Sequence, residues 1–365
     1  MAKTAPPVPF CLPPLPYQPS DPQSYNPAIG LIGCGGIATH HLRAYVAAGY
    51  RVTAFCDISK EAAERRRGEY YPDAQIFTDY REMLRVSDVE VVDVTTHPEI
   101  RGPIIAACLE SGRHVLSQKP FVLDLDEGEQ LADLADKQGL LLAVNQNARW
   151  APHFSYMREA VEADLIGQVA SVHCGVHWDH SWVRGTVFEK VYHLILYDFG
   201  IHWFDFLATL MGKQRPLRIF ASTAVSPTQD IVPALLGQAA VEYPRAQATL
   251  VFDGHAAHNP WDEAYVAGSH GTLRSFGPDV NHQTVELSRD GGDYRPKLVG
   301  SWFPDGFHGA MGELLCAIEE KRQPSNDARG NLRSLELAFA AVESAMRHVP
   351  IVPGSVRRLP DPPTS

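Results

Sequence analysis

The sequence lacks the marks of several protein classes. Its six cysteines among 365 residues include no CxxC pair and have no regular spacing, which argues against a disulfide framework and favours reduced thiols. No apolar run approaches the roughly 20 residues that a membrane span needs. Basic residues are fewer than acidic ones, 32 against 43, and the net charge is −11, which disfavours nucleic acids and anionic membranes as partners. We therefore expect a cytoplasmic protein with no nucleic-acid or membrane partner.

The first 27 residues differ in composition from the rest of the chain. They contain nine prolines, which exclude a helix and favour extended backbone. A signal peptide would need a continuous apolar segment and a small-residue cleavage site, and neither is present. Two interpretations stay open for residues 1–27. They form a disordered leader, or an arm that packs on a neighbouring subunit through its apolar side chains, which are Phe10, Leu12, Leu15 and Tyr17.

A glycine-rich turn follows the first strand of a predicted βαβ unit. The apolar strand 28–33 leads into GCGGIA, and a second strand, 51–57, ends on an acid. Gly33 permits a tight turn, and Gly35 lets the backbone approach a pyrophosphate at the start of the helix. Asp57 lies 24 residues after Gly33, where a carboxylate would accept hydrogen bonds from the adenosine ribose and repel a 2′-phosphate. The pattern predicts a dinucleotide site that prefers NAD to NADP.

Strands and helices continue to alternate up to residue 148. Predicted strands at 89–96, 113–120 and 140–147 are separated by predicted helices at 99–111 and 125–138. Such alternation indicates a doubly wound parallel sheet, which binds ligands at the carboxyl ends of its strands. We expect residues 28–148 to form a Rossmann domain. The polar residues at the strand ends are Thr95, Thr96, Lys119, Asn145 and Asn147.

Lys119 follows a buried strand at the edge where a nicotinamide would lie. Pro120 restricts the backbone of Lys119 to extended conformations. An ammonium fixed beside the cofactor can bind a substrate hydroxyl and stabilise the alkoxide that develops as hydride leaves. Lys119 is therefore a candidate catalytic residue, with a solvated surface lysine as the alternative.

Three ionisable residues interrupt the apolar stretch LYDFGIHWFDF, residues 196–206. Asp198 and His202 are spaced i, i+4, which places them one turn apart on the same face of a helix, and Asp205 lies near that face. A carboxylate beside an imidazole orients the ring and raises its basicity, which is how a general base is built. We predict that His202 is the base, that Asp198 orients the ring or the substrate, and that Asp205 supports the pair.

Several motifs now resemble one family. GLIGCGGIA, DIS, SQKPF and YDFGIHWFD occur in this order and are similar to the glucose–fructose oxidoreductase / inositol dehydrogenase (Gfo/Idh/MocA) family, over about residues 28–350. The resemblance implies that Lys119, Asp198 and His202 act together on sugar or cyclitol alcohols. It also implies that NQNAR, residues 145–149, places Asn147 and Arg149 near the active site. Gln118 departs from the family's Glu-Lys-Pro motif, because it keeps a hydrogen-bonding group but removes a charge.

The resemblance implies a second α/β domain, residues 149–350, with an open and mostly antiparallel sheet whose outer face joins a homodimer or homotetramer. Alternating segments at 168–178, 216–225, 237–242, 246–253, 263–268, 271–276 and 284–289 are the predicted strands. Helices are predicted at 308–321 and 331–347, the second returning toward the Rossmann domain, and residues 351–365 are a tail. Residues 177–182 and 302–308 are predicted to be aromatic-rich loops.

Four residues of this half are candidates for stacking on a sugar face, although structural packing of the tryptophans is an equally open interpretation. They are Trp178, His180, Trp182 and His193. Cysteines and carboxylates at ligand spacing are lacking around the histidines of this half, His173, His177, His180 and His193, so no metal site is expected.

The sequence therefore predicts an NAD-dependent dehydrogenase that acts on a secondary hydroxyl of a small sugar, glycoside or cyclitol. Two alternatives stay open: tightly bound NAD recycled during elimination or glycoside cleavage, and a non-catalytic regulator. The predicted cofactor residues are Gly33, Gly35, Gly36, Ile37, Asp57, Ile58, Thr95, Thr96, Gln118, Lys119 and Asn147. The predicted substrate residues are Lys119, Arg149, Trp178, His180, Trp182, His193, Asp198 and His202.

Overall fold

Six parallel strands form the N-terminal sheet in the computed structural model, which describes residues 14–362. They are β1 (Ala28–Ile32), β2 (Arg51–Cys56), β3 (Gln75–Phe77), β4 (Val91–Val94), β5 (His114–Gln118) and β6 (Leu142–Asn145). Their order, β3-β2-β1-β4-β5-β6, is that of a doubly wound sheet. The predicted fold of this half is confirmed. The edge strand β3 was not predicted, because three residues are too short to show a period.

Helices connect these strands and cover both faces of the sheet. They are α1 (Ala38–Ala48), α2 (Lys60–Tyr70), α3 (Tyr80–Val86), α4 (Pro98–Glu110) and α5 (Leu125–Gln138). Local signals fix their ends: α5 begins at Asp124, whose carboxylate accepts the Asp126 N–H at 2.8 Å, and ends at Gly139 with φ 66°. The strands β1, β4 and β5 are almost wholly buried, as expected for a parallel sheet between two helical layers.

The second sheet has eight strands. They are β7 (Val169–His177), β8 (Arg218–Ala224), β9 (Leu236–Glu242), β10 (Gln247–Asp253), β11 (Trp261–Gly268), β12 (Gly271–Gly277), β13 (Thr284–Arg289) and β14 (Gly292–Tyr294). Every neighbouring pair is antiparallel except β7 and β10. The predicted open, mostly antiparallel sheet is confirmed. Along β9, β10 and β11, buried residues on the inner face alternate with more exposed residues on the outer face.

Four further helices link the two sheets. They are α6 (Pro152–Glu162), α7 (Ile201–Leu210), α8 (Trp302–Glu320) and α9 (Ala328–Arg347). The helix α9 packs against α5 on one side and against α7 and β8 on the other, so it spans both halves. Residues 302–308, predicted as a loop, are instead the first turns of α8. The Asp305 carboxylate accepts the Ser301 N–H at 2.9 Å and closes the start of this helix.

The stretch that was predicted as one helix is two. Leu194–Phe199 form a π-helical segment, and α7 begins only after Gly200. The Gly200 N–H donates to the Ile195 carbonyl at 2.9 Å, which is the wide i to i−5 pattern of a π-turn. A Cβ at position 200 would lie 2.9 Å from the carbonyl oxygens of Ile195 and Leu196. Glycine therefore permits the junction between the segments.

Residues 14–27 pack on their own chain. The Glu319 carboxylate of α8 accepts the backbone N–H groups of Gln23, Ser24 and Tyr25 at 2.7, 2.8 and 2.9 Å. Leu15 and Tyr17 rest against the core. A disordered leader does not describe this part of the segment, whereas packing of the arm on a neighbouring subunit stays a prediction. Phe10 and Leu12 lie outside the described residues.

The C-terminal segment also bridges the two halves. Ile351 pairs with Ile219 of β8, and the Leu359 N–H donates to the Leu123 carbonyl at 2.8 Å. Within residues 14–362, no helix combines the length and the apolar character needed to cross a membrane.

Candidate active site

Lys119 sits on a turn that a buried arginine holds in place. Nη1 of Arg101 donates to the Gln118 carbonyl at 2.5 Å and also to the Pro120 carbonyl. Nε of Arg101 donates to the Thr96 carbonyl at 3.1 Å. Burial lowers the pKa of Arg101 to about 10, so it stays charged at neutral pH. The sequence analysis missed Arg101; an arginine on an otherwise apolar face of α4 was the available signal.

The structure brings Lys119, Asp198 and His202 together. The Lys119 ammonium donates to the Asp198 backbone carbonyl at 2.9 Å and lies 3.3 Å from the Asp198 carboxylate. Burial, with the positive charge of Lys119, lowers the pKa of His202 well below its ordinary value. Nδ1 of His202 is buried and has no hydrogen-bond partner. A paired ammonium thus faces a neutral imidazole.

The expected contact between Asp198 and His202 is absent at Nδ1 of the imidazole. The Asp198 carboxylate turns to Lys119 instead. The π-helical segment explains this, because it changes the angle between the two residues from that of a regular i, i+4 pair. The predicted role of Asp198 in orienting the imidazole is therefore not supported. Its position instead fixes Lys119.

Asp205 does not support the pair either, which corrects the prediction. Its carboxylate forms a two-pronged ion pair with Arg149, at 2.7 Å on each oxygen, and accepts the Ser334 hydroxyl at 2.8 Å. Arg149 also donates to the Ser325 carbonyl. Because its guanidinium is buried and donates to Asp205 and Ser325, the structure argues against a direct substrate contact for Arg149. The ion pair between Arg149 and Asp205 joins the turn after β6 to α7, and the Ser334 hydroxyl extends this connection to α9.

A chain of buried polar groups supports Gln118. Its Oε1 accepts the Asn145 amide at 2.7 Å, and Nδ2 of Asn145 also lies 3.1 Å from Nε2 of His41. Nδ1 of His41 lies 2.7 Å from Asp93, which also accepts the Tyr45 hydroxyl at 2.7 Å. A His41 tautomer with its proton on Nδ1 donates to Asp93 and accepts from Asn145, which satisfies both contacts. The amide of Gln118 thereby fixes the end of β5.

The predicted dinucleotide residues form an open cradle. The helix α1 has no side-chain cap and no acid in its first turn, so no side chain of this helix start competes with an anion for its N–H groups. Added Cβ atoms at Gly35 and Gly36 would meet nothing within 4 Å. Gly33 has φ 99°, as its tight turn requires. The loop, including Ile37, fits a pyrophosphate.

Asp57 and Ile58 lie where an adenosine would bind. The Asp57 carboxylate accepts the N–H groups of Cys34 at 2.6 Å and Ser59 at 2.8 Å, which orients it beside the glycine loop. Each oxygen can accept one further hydrogen bond, as a ribose would require. Ile58 is 95% exposed, so it presents apolar surface that an adenine ring could cover.

Thr95, Thr96 and Asn147 differ in how their side chains are used. Thr95 donates to the carbonyls of Ile32, at 3.2 Å, and of Gly33, and so ties β4 to the glycine loop. Thr96 has a buried hydroxyl without a partner. Asn147 accepts the Trp302 indole N–H at 2.8 Å, which holds that indole 5.3 Å from the His202 ring. The Thr96 hydroxyl is thus free to bind a ligand.

The predicted aromatic residues only partly assemble. The ring centroid of Trp178 lies 3.8 Å from that of His180 and 5.4 Å from that of Phe199. The His180 ring also contacts Phe199. Neither ring nitrogen of His180 has a partner, and burial lowers its pKa to about 3. Trp182 is 54% exposed at 6.0 Å from His180. Trp178 and His180 thus form the wall beside Asp198, and Trp182 lies at its rim.

His193 lies elsewhere. Its Nε2 donates to the Pro360 carbonyl at 2.9 Å, so it holds the C-terminal segment, and the structure argues against a substrate contact. Among the residues that the structure describes, no group of three or more His, Cys, Asp or Glu side chains could hold a metal ion.

Comparison with known proteins shows which protein family the chain matches. The family model described as the GFO_IDH_MocA oxidoreductase family, NAD-binding Rossmann fold, matches residues 28–146. The model for the GFO/IDH/MocA C-terminal domain matches residues 154–274. Together the two models cover more than half of the chain.

The relatives and solved structures that resemble this chain share a low sequence identity with it. D-apiose dehydrogenase of Paraburkholderia graminis is 25% identical over 342 residues, 86% of each chain. Inositol 2-dehydrogenase of Salmonella typhimurium is 26% identical over 179 residues, 48% of this chain and 53% of that protein. The chain spans about half the length of this and other curated relatives that it matches.

Among solved structures, an oxidoreductase from Agrobacterium radiobacter in complex with NAD+, L-tartaric acid and magnesium superposes with a TM-score of 0.81. It is 17% identical, and the match covers 91% of this chain and 99% of that one. This likeness shows the fold alone. Both family models therefore agree with the two observed sheets, and the chain belongs to the Gfo/Idh/MocA oxidoreductase family.

Proposed function

We propose that this protein oxidises a secondary hydroxyl group of a sugar, glycoside or cyclitol with NAD, or catalyses the reverse reduction. One observation carries the proposal: the Lys119 ammonium, held by Asp198, lies beside the buried imidazole of His202 at the carboxyl end of the parallel sheet. The relatives named inositol and D-apiose dehydrogenase support the substrate class.

His202, Lys119 and Asp198 each have a separate role in this reaction. The low pKa of His202 keeps its imidazole neutral, so it can accept the hydroxyl proton. Lys119 stabilises the alkoxide that forms. Asp198 holds the ammonium in place through the contacts at 2.9 and 3.3 Å, and Arg101 fixes the turn beneath it.

The cradle described above would hold the cofactor. The glycine loop and the start of α1 would bind the pyrophosphate, and Asp57 the adenosine ribose. A carboxylate at that position repels a 2′-phosphate, which favours NAD over NADP. When bound, NAD supplies the acceptor for the hydride.

We also propose assembly into a homodimer or homotetramer through the outer face of the second sheet. Four large side chains on that face are about 40% exposed, which leaves apolar surface that a second copy would cover. They are Phe220, Val251, Trp261 and Tyr265.

The test is an assay of NADH formation with myo-inositol, scyllo-inositol, D-apiose, D-glucose, D-galactose and D-xylose, with NAD and with NADP. For the compound that is oxidised, His202→Ala should lower kcat by about 10²- to 10⁴-fold and leave NAD binding unchanged. His270→Ala is the matched control, because that exposed ring lies in the turn between β11 and β12.

Three results would contradict the proposal. One is a folded His202→Ala variant that keeps more than a third of the rate. Another is a tenfold preference for NADP, which would remove the NAD assignment. Turnover without net NADH would indicate a cofactor recycled within each reaction.

A further inference from the structure

The C-terminal segment, residues 351–362, lies against the loop that follows Lys119. The Leu359 N–H donates to the Leu123 carbonyl at 2.8 Å, and the Leu125 N–H donates to the Arg357 carbonyl at 2.7 Å. The two bonds form a short antiparallel ladder around an isolated bridge. Leu123 follows Lys119 by four residues, so the ladder restrains the exit from the Lys119 turn.

The same segment also contacts the element that carries Asp198. Nε2 of His193 donates to the Pro360 carbonyl at 2.9 Å. His193 directly precedes the π-helical segment, and its own carbonyl accepts the Tyr197 N–H at 2.9 Å. The side chain and the backbone of His193 therefore connect the C-terminal segment to the turn that leads into Asp198.

The beginning of the C-terminal segment is anchored on the second sheet. Ile351 and Ile219 of β8 exchange two backbone hydrogen bonds at 2.8 Å, and both side chains are buried. The segment thus leaves the second domain, crosses to the Rossmann domain and returns to the second domain at His193. The two domains cannot separate here unless backbone hydrogen bonds at one of these points break.

The separation of the two domains matters because Lys119 and Asp198 come from different ones. The Lys119 ammonium donates to the Asp198 backbone carbonyl at 2.9 Å and lies 3.3 Å from the carboxylate. A shift of about 1 Å would lengthen both contacts beyond normal hydrogen-bond distances. A misplacement of this size lowers an enzymatic rate by about 10²-fold.

We propose that the C-terminal segment positions Lys119 against Asp198, and that His193 is a positioning residue that connects this segment to the π-helical segment. Neither contacts the reacting atoms, since both act through the pair of Lys119 and Asp198. The effect on rate rests on the proposed function, because that pair belongs to the proposed active site.

The first test removes one backbone hydrogen bond. Leu359→Pro deletes the N–H that binds Leu123, and Leu359→Ala is the matched control, because it shortens the side chain but keeps the N–H. With the best substrate of the panel above, Leu359→Pro should lower kcat by about 10- to 100-fold and leave the Kd for NAD unchanged. Leu359→Ala should keep most of the wild-type kcat.

The second test separates hydrogen bonding from packing at His193. His193→Phe removes the donor to Pro360 and should lower kcat as Leu359→Pro does. His193→Gln keeps an N–H donor and should restore most of the rate. Arg357→Gln is a control on the segment itself, because it removes only exposed ion pairs with α5 and should have little effect.

Hydrogen–deuterium exchange measures the connection without an activity assay. In Leu359→Pro and in His193→Phe, the amides of residues 119–125 and 194–199 should exchange faster than in wild type, because the contacts that hold these residues are lost. The amides of β1 and β4 should exchange as in wild type. Faster exchange throughout the chain would indicate general destabilisation and would overturn the positioning role.

The two proposals fail differently. Folded Leu359→Pro and His193→Phe variants that keep the wild-type kcat overturn the positioning role and leave the dehydrogenase assignment intact. The role is also overturned if both variants fail to fold, or if each control loses as much activity as its partner. A wild type that oxidises no compound of the panel overturns the proposed function, and hydrogen exchange of residues 119–125 and 194–199 then decides the connection alone.

Discussion

The protonation of His202 depends on its neighbour. Burial and the Lys119 charge both lower the pKa of the imidazole, so the ring is in its proton-accepting form at neutral pH. A base of this kind loses activity only when the pH falls to its lowered pKa. The rate of alcohol oxidation should therefore rise with pH at acidic values and then become flat.

We predict that the rising limb of kcat in wild type lies below about pH 6.5, the ordinary value for histidine. Lys119→Met removes a positive neighbour, so the His202 pKa rises and the limb moves to higher pH, in an enzyme of much lower kcat. The measurement is kcat against pH for both proteins, with Lys137→Met, on the exposed side of α5, as the control. A wild-type limb centred above pH 7 would mean that His202 is not the titrating base.

At the scale of elements, the active-site helix owes its shape to one glycine. The π-helical segment and α7 meet at Gly200, where the backbone carbonyls of Ile195 and Leu196 leave no room for a side chain. Asp198 and His202 lie on opposite sides of this junction. The junction therefore sets the position of both residues relative to Lys119.

We predict that Gly200→Ala lowers the free energy of unfolding by about 1–3 kcal/mol, as overpacking does, and lowers kcat more than it raises KM. Gly68→Ala is the matched control, since that glycine of α2 has no neighbour within 4 Å of an added Cβ. It should stabilise the protein by up to about 1 kcal/mol. Urea unfolding and steady-state kinetics measure both effects. Equal stabilities of Gly200→Ala and wild type would show that the junction tolerates a side chain.

At the scale of the whole molecule, segments from both ends of the chain join the two halves. Residues 14–27 bind α8 through Glu319, and the hydrogen bonds from Ser24, Gln23 and Tyr25 lower the pKa of this carboxyl to about 2. The C-terminal segment runs from β8 to the loop before α5. Both are contacts within one chain, so their loss affects folding before assembly.

We predict that deleting residues 1–27 lowers the melting temperature and leaves the mass of the assembly, measured by sedimentation, unchanged. Glu319→Gln should reproduce part of the loss, and Glu320→Gln, next to it on the exposed surface, should not. The Glu319 contribution is present above the ordinary carboxyl pKa and disappears as the pH falls toward 2. A smaller assembly with an unchanged melting temperature would indicate instead that the segment acts between subunits.

The sequence alone determined the features that local rules control. The glycine loop, Asp57 and the alternating strands were readable because turn geometry and burial impose fixed residue types at fixed spacings. Lys119, Asp198 and His202 were identifiable as an unusual group, because ionisable residues in apolar stretches are rare. The resemblance of these motifs to one family supplied the second domain.

Only the tertiary structure decided which partner each polar group meets. Asp205 pairs with Arg149, Asp198 with Lys119, and His193 with Pro360, and each pair joins elements that are far apart in sequence. Local spacing fixes where a side chain points on its own helix or strand, whereas the strength of a charge pair depends on distances of a few ångströms across the fold.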